Sequence, residues 1–360
     1  MELNVQCAEV QQTQLDYRVS GGPIGQGKST KSCQYARFNW FRKWLIVIKL
    51  MEVEGRVVAK HWTDQFSYVT GVVRTKERAY VSLIGDDVAK KRLLQSILME
   101  WDAGTWRGGD VSTRDWSAVG ATVALKPLEQ AVFLGAGGQV CCAGSGDLHD
   151  ERVGSSESSP ADRGPMRGIR TIGGSVYAVG MDRQAYRRDQ SGKWKCIDKT
   201  ARPRNRTETV GFEAIDGFDE KEIYAVGWDG EIWHYNGKTW SQKDSPTNVV
   251  LVDVCCAGDG NVYAAGRIGA LVCGREDTWE LVEHDDIKDG IWSLAWYRDQ
   301  LYLSTMEEIY TLKDGHLHRV DMGEDRPDTC YHLSVADGVM WSIGAKDILE
   351  YDGKSWKRID

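Results

Sequence analysis

Between Ile223 and Trp240 the chain alternates short apolar runs with turn dipeptides: Ile223 to Gly227, Asp229-Gly230, Glu231 to Tyr235, Asn236-Gly237, then a further run opening at Trp240. Short runs rich in Val, Ile, Tyr and Trp predict β-strands, and Asp-Gly and Asn-Gly predict tight hairpins because both residues tolerate positive φ at low cost. The pattern recurs. Counting from Tyr224, equivalent positions fall at Tyr263, Tyr302 and Trp341, each 39 residues after the last. Going backward, Tyr177 lies 47 residues earlier, with the polar loop Thr200 to Thr209 absorbing the surplus, and Cys141 in the Gln139–Gly144 run lies another 36 back. A period of about 40 residues with several strands in each copy predicts a closed ring of blades.

The last copy shows the grammar of a blade most clearly. Tyr331 to Val335, Met340 to Gly344, Ile348 to Tyr351 and a final strand carrying Trp356 make four strands, with turns at Asp337-Gly338 and Asp352-Gly353. A closing Trp recurs as Trp194, Trp240, Trp279 and Trp356, with Leu317 in its place in the unit between. Its constant register predicts packing between neighbouring blades. The N-terminal third is less regular. Trp44 to Val53 and Arg56 to Trp62 predict one hairpin, and Tyr68 to Val73 with Ala79 to Ile84 another. Asp86 to Trp101 predicts a helical insertion, since Val88, Leu93, Leu94, Ile97 and Leu98 fall mostly on one helical face behind a capping Asp86 or Asp87. The Ser-, Gly- and Pro-rich stretch Gly154 to Gly168 predicts a long inter-blade loop. The fold class is therefore all-β: a single β-propeller domain over residues 1–360, of four-stranded blades. Seven blades are expected, with six or eight as alternatives. The blades are regular over 128–360 and irregular over 1–127, and whether residues 1–60 join the ring is open.

The repeated unit of Tyr-Ala-Val-Gly, Asp-Gly, an aromatic strand, Asn-Gly or Asp-Gly and Trp resembles bacterial tandem-repeat β-propellers over Leu128 to Asp360. It lacks the Trp-Asp dipeptide of WD40 repeats, the double Gly of kelch repeats and the Ser-x-Asp box of sialidases. Some bacterial immunity proteins resemble such propellers, so the resemblance implies an inhibitor of a toxin as one concrete function.

Composition supports a strand-rich chain, with 39 Gly, 7 Pro, 15 Trp and 14 Tyr among 360 residues. Its opening lacks the basic patch and apolar core of a secretory signal, and its longest apolar run, Trp44 to Ile48, is too short to span a bilayer. A cytoplasmic protein is the expectation. Nine Cys include two vicinal pairs, Cys141-Cys142 and Cys255-Cys256, whose side chains point to opposite faces of a strand; reduced thiols are expected. The net charge of −8 conceals an asymmetry, because residues 206–360 carry a net of −16 and residues 1–205 a net of +8. Such an acidic half repels nucleic acid and attracts basic surfaces.

Candidate chemistry is sparse. Gly22 to Ser29 matches the phosphate-loop spacing, but no clean helix follows Lys28 and no strand supplies a magnesium ligand, so a Gly-rich loop is the simpler reading. His316 and His318 share one face of a strand without a carboxylate or Cys to complete a metal set. Six Trp of the N-terminal third, with Arg37, Arg42, Lys43 and Lys49 among them, suit packing better than a nucleic-acid platform. No catalytic residue, cofactor or metal is implied. In a four-stranded blade the loops between strands two and three, and those between blades, emerge on one end. That end gathers Trp228, Asp229, Asp285, Asp286, Asp289, Glu307, Glu308, Glu324, Asp325 and Asp347 as candidate partner-binding residues. Self-repulsion among such acids is relieved by a basic partner. The expected function is a non-catalytic immunity or inhibitor protein, a monomer capturing a basic toxin or effector one to one, without nucleic acid or membrane. Two alternatives stand beside it: an enzyme or small-ligand binder using the central channel through Glu213, Asp253, Trp292 and His332, and a scaffold with several partners.

Overall fold

The computed structural model describes residues 62–108, 113–154, 159–203 and 209–360. The expected hairpin over 44–61 and the Gly22–Ser29 motif lie outside them. The chain divides into two units, Met1–Gln65 and Phe66–Asp360. Of the first unit the described part is a single 3-10 turn, Trp62–Asp64.

The second unit is a seven-bladed β-propeller. Seven four-stranded antiparallel sheets, over residues 66–107, 118–152, 166–196, 212–243, 251–281, 293–319 and 332–358, follow one another in chain order. The first strands of successive blades touch around the axis, and Phe66–Thr75 closes the ring against His332–Ala336. Each blade is one continuous piece of chain, so closure rests on side chains and loops. Val73 N–H donates to Ser334 Oγ (2.9 Å), Tyr68 N–H to Ala345 O (2.8 Å), and Trp106 Nε1–H to Ile359 O (2.9 Å). Trp341 receives Trp101 edge-on at 5.2 Å in the same seam. Trp101, Trp106 and Trp116 thus serve packing and closure.

The closing Trp acts as expected, each leaning on the blade before it. Trp240 packs with Ile172 and Tyr177 and donates Nε1–H to Ile197 O (3.1 Å), while Trp194 reaches Glu151 (2.9 Å). The Gly that ends the Tyr-Ala-Val-Gly run also has a physical reason. Gly227 is extended at φ −179°, so its role is space. A Cβ there would overlap the carbonyl oxygen of Gly211, and Gly266 and Gly344 face Val250 and Thr329 in the same way. The inter-blade loop is laid directly on the strand end, where Trp228 N–H donates to Gly211 O (3.1 Å). Gly227→Ala is expected to lift that loop and cost about 2–3 kcal/mol, read by denaturant unfolding, with far-UV circular dichroism unchanged.

Four expectations need correction. The helix expected over 86–101 is confined to Asp86–Lys90. After Arg92, at φ 54°, the chain becomes the third strand of blade one, Ile97–Asp102, which buries Leu98 and Trp101. Pairing with Arg78–Gly85 outweighs local helical periodicity there, and Leu93 and Leu94 stay exposed. The Gln139–Gly144 run, aligned above with the second strands, is the third strand of its blade; the second is Gln130–Gly135. The Asn236 turn is a four-residue loop in which Asn236 Oδ1 accepts from Lys238 N–H and Thr239 N–H. The loop expected to run to Gly168 ends by Met166, where blade three begins. No helix among the described residues is long and apolar enough to cross a membrane.

Candidate protein-binding face

Antiparallel order places the loops between second and third strands beside those between blades. Direct bonds tie the two classes together: Arg267 N–H to Val250 O (3.1 Å), His284 Nε2–H to Gly269 O (2.8 Å), and Cys330 N–H to Met306 O (2.8 Å). The end of the ring is therefore one continuous loop face whose backbone is fixed by the blades beneath.

The ten candidate residues all lie in these loops, but in two different states. Asp229, Asp285, Asp286, Asp289, Glu307 and Glu324 are exposed, and none forms an ion pair among the described residues. The other four have local partners. Glu308 bonds Arg319 and Arg326 (2.6 Å each), and Arg358 spans Asp325 (2.8 Å) and Asp347 (2.6 Å). Asp347 is buried and also accepts from Asp328 N–H (2.9 Å); burial raises its carboxyl above the usual range against the pull of Arg358. Trp228 is half-buried, its Nε1–H donating to Glu213 (2.5 Å). The freely presented acids concentrate on the 282–292 loop of blades five and six and continue to Glu307 and Glu324.

Elsewhere on the face several charges are internally matched. In blade three Arg163 bonds the fully buried Asp198 (2.6 Å) and Asp182 (2.8 Å), and Arg183 grips Glu231 while lying over the Trp233 ring at 5.0 Å. These knots were not visible in the sequence, because their partners are separated by up to 48 residues. A further feature was missed. The Trp228-Asp229-Gly230 turn of blade four is repeated in blade five as Arg267-Ile268-Gly269, with Ile268 at φ 56° and 74 % exposed. A cavity of about 460 Å³ beside it is lined by Ile268, Leu281, Val282, Glu283, Asp285 and Ile287 among others. An Ile where the repeat carries Asp was the available signal.

The channel residues are occupied by structural duties. Glu213 faces Arg167 at 3.5 Å as well as Trp228, and burial raises its carboxyl. Asp253 accepts from Leu294 N–H (2.7 Å) and Val254 N–H (2.9 Å). His332 is pushed down to about 4 by burial, which disfavours the imidazolium. Trp292 stacks edge-on against Tyr331 at 5.6 Å. His316 and His318 are exposed on the outer strand of blade six. Among the described residues, Cys142, His149 and Glu151 offer donor atoms within 4.8 Å of one another. Arg188 already holds Glu151 by two bonds (2.6 and 2.8 Å), and burial pushes the Cys142 thiol far up, so this cluster is an ion-pair knot rather than a cation cage. The described cysteines are all free.

Fold and face together define a seven-bladed propeller that presents a rigid, partly acidic loop surface. No family model matches the chain. Over 298 residues it is 51% identical to the immune protein Tsi7 of Pseudomonas aeruginosa, covering 82% of this chain and 97% of that protein, and it belongs to that immune protein's family. Solved structures share the fold at low identity. YCF48 bound to a D1 peptide superposes with a TM-score of 0.57 at 16% identity, covering 80% of this chain and 92% of that one. Sqt1 of Saccharomyces cerevisiae superposes at 0.53 and 11%, covering 82% and 84%.

Proposed function

We propose that this protein is a non-catalytic, cytoplasmic immunity protein that captures a basic toxin, one to one, on the loop face around Asp285, Asp286 and Asp289. The kinship with the immune protein Tsi7 carries the reading. The unpaired acids of blades five and six supply its electrostatic side, since a fixed cluster of like charges attracts a basic partner and speeds encounter. The channel carboxylates, already engaged by Arg167, Trp228 and backbone amides, offer no free acid–base pair to an enzymatic alternative. The test is rescue. The toxin is sought as the polypeptide encoded beside this gene whose expression arrests growth of a naive bacterial host. Co-expression of this protein is expected to restore growth and to yield an equimolar complex on gel filtration. Arrest that persists despite abundant folded protein contradicts the reading.

A further inference from the structure

Twelve non-glycine residues among those described have positive φ, and Ile268 is the one that is β-branched. Branching at Cβ makes this backbone region costly, which is why Asp, Asn or Gly normally fill it. The equivalent turn in blade four shows that the fold has no need of Ile: Asp229 takes the same conformation, φ 54° and ψ 27° against 56° and 34°. In both turns the following Gly is pressed under the next inter-blade loop, so the turn itself is set by Gly230 and Gly269. Ile268 therefore combines a strained backbone with an aliphatic side chain left 74 % exposed to water. Both features oppose folding.

The surroundings indicate what covers it. Leu281, 45 % exposed, lines the same cavity of about 460 Å³ together with the half-buried Val282 and the buried Ile287. The rim carries Glu283 and Asp285, with Asp286 and Asp289 just beyond and Lys288 the one cation of that loop. His284 fixes the rim, bonding Gly269 O (2.8 Å) and accepting from Ile287 N–H (3.5 Å). A small apolar centre within an acidic, hydrogen-bonded border has the anatomy of a binding hot spot.

We infer that this groove is the anchor point of the complex: Ile268 and Leu281 receive an apolar side chain of the toxin, flanked there by Lys or Arg residues that meet Glu283, Asp285 and Asp286. Charge complementarity selects this occupant, because a neutral apolar segment leaves the acidic rim desolvated and unmatched. The inference rests on the immunity reading above and names the site of contact.

The test uses the full chain and the toxin identified by rescue. Ile268→Gly and Ile268→Asn relax the backbone while deleting the aliphatic contact, so each is expected to keep or raise Tm, by about 2 °C. Each is also expected to weaken toxin binding at least tenfold by calorimetry, whereas Ile268→Leu retains affinity within about threefold. A raised Tm with wild-type affinity in the Gly variant overturns the groove while leaving the immunity reading intact. Failure of the wild-type protein to bind the toxin overturns the immunity reading and the groove with it. Sedimentation equilibrium showing a dimer that the Gly variant loses assigns the groove to a second copy and likewise overturns the inference.

Discussion

Arg188→Ala is expected to destabilise the propeller by about 3–5 kcal/mol, the range for removing one partner of a buried ion pair. Arg188 is 2 % exposed and joins blade three to blade two. Its Nε and Nη2 hold both oxygens of Glu151 (2.8 and 2.6 Å), and Nη1 donates to Lys126 O (2.7 Å). Without it Glu151 keeps only Trp194 Nε1–H (2.9 Å) and the imidazole of His149 (3.1 Å), too little for a carboxylate that is only a tenth exposed. The pH dependence gives a second readout. Burial works to raise the Glu151 carboxyl, and Arg188, His149 and Trp194 together outweigh it and hold it below the usual range. A carboxyl lowered in the folded state stabilises above its unfolded pKa of about 4.3 and loses that contribution as pH falls through the folded value. In the variant, burial without the guanidinium favours the neutral acid. The deficit is therefore largest near pH 7 and shrinks below about pH 4.5, as urea unfolding across that range will report. A companion Arg188→Met, Glu151→Leu pair is expected to recover most of the loss, since it leaves no buried charge behind.

The ring itself was legible because its signal is local and repeated. The 39-residue spacing of Tyr224, Tyr263, Tyr302 and Trp341 marks four second strands in succession, and the final blade matches its expected strands to within a residue or two. The unit weakens toward the N-terminus, and expectation weakened with it. The Gln139–Gly144 run has the same apolar grammar as a second strand and ends, like one, in Gly; only pairing in three dimensions assigns it to third place, between Gln130–Gly135 and Asp147–Arg152. The 86–101 segment has helical periodicity, yet Ile97 to Asp102 find a strand partner in Arg78–Gly85, and six residues in antiparallel register decide what a stripe of Leu cannot.

The candidate site divides along the same line. Loop position follows from blade grammar, so the placement of all ten residues on one end was readable. Their availability was not. Glu308 is engaged by Arg319 of its own blade and by Arg326 eighteen residues on, and Asp347 by Arg358 of the outermost strand. Such pairs depend on how far an Arg reaches across folded loops, which no period in the sequence encodes. Ile268 illustrates the converse: its strain arises from a turn shared with Asp229, and only the φ of the folded turn separates an ordinary exposed Ile from one that opposes its own backbone.

The most direct test of the account is the association rate with the toxin, measured by stopped flow for the wild-type protein and for Asp285→Lys, Asp286→Lys, Asp289→Lys combined. These three are exposed, form no ion pair among the described residues and line one loop, so their reversal leaves the blades intact while inverting the local field. Steered encounters owe their speed to that field and lose it with salt. The account predicts that at low ionic strength the variant associates at least tenfold more slowly than wild type, that the difference narrows above about 0.5 M salt as screening tightens, and that Tm is unchanged. Equal association rates at low salt, with both proteins folded, contradict it.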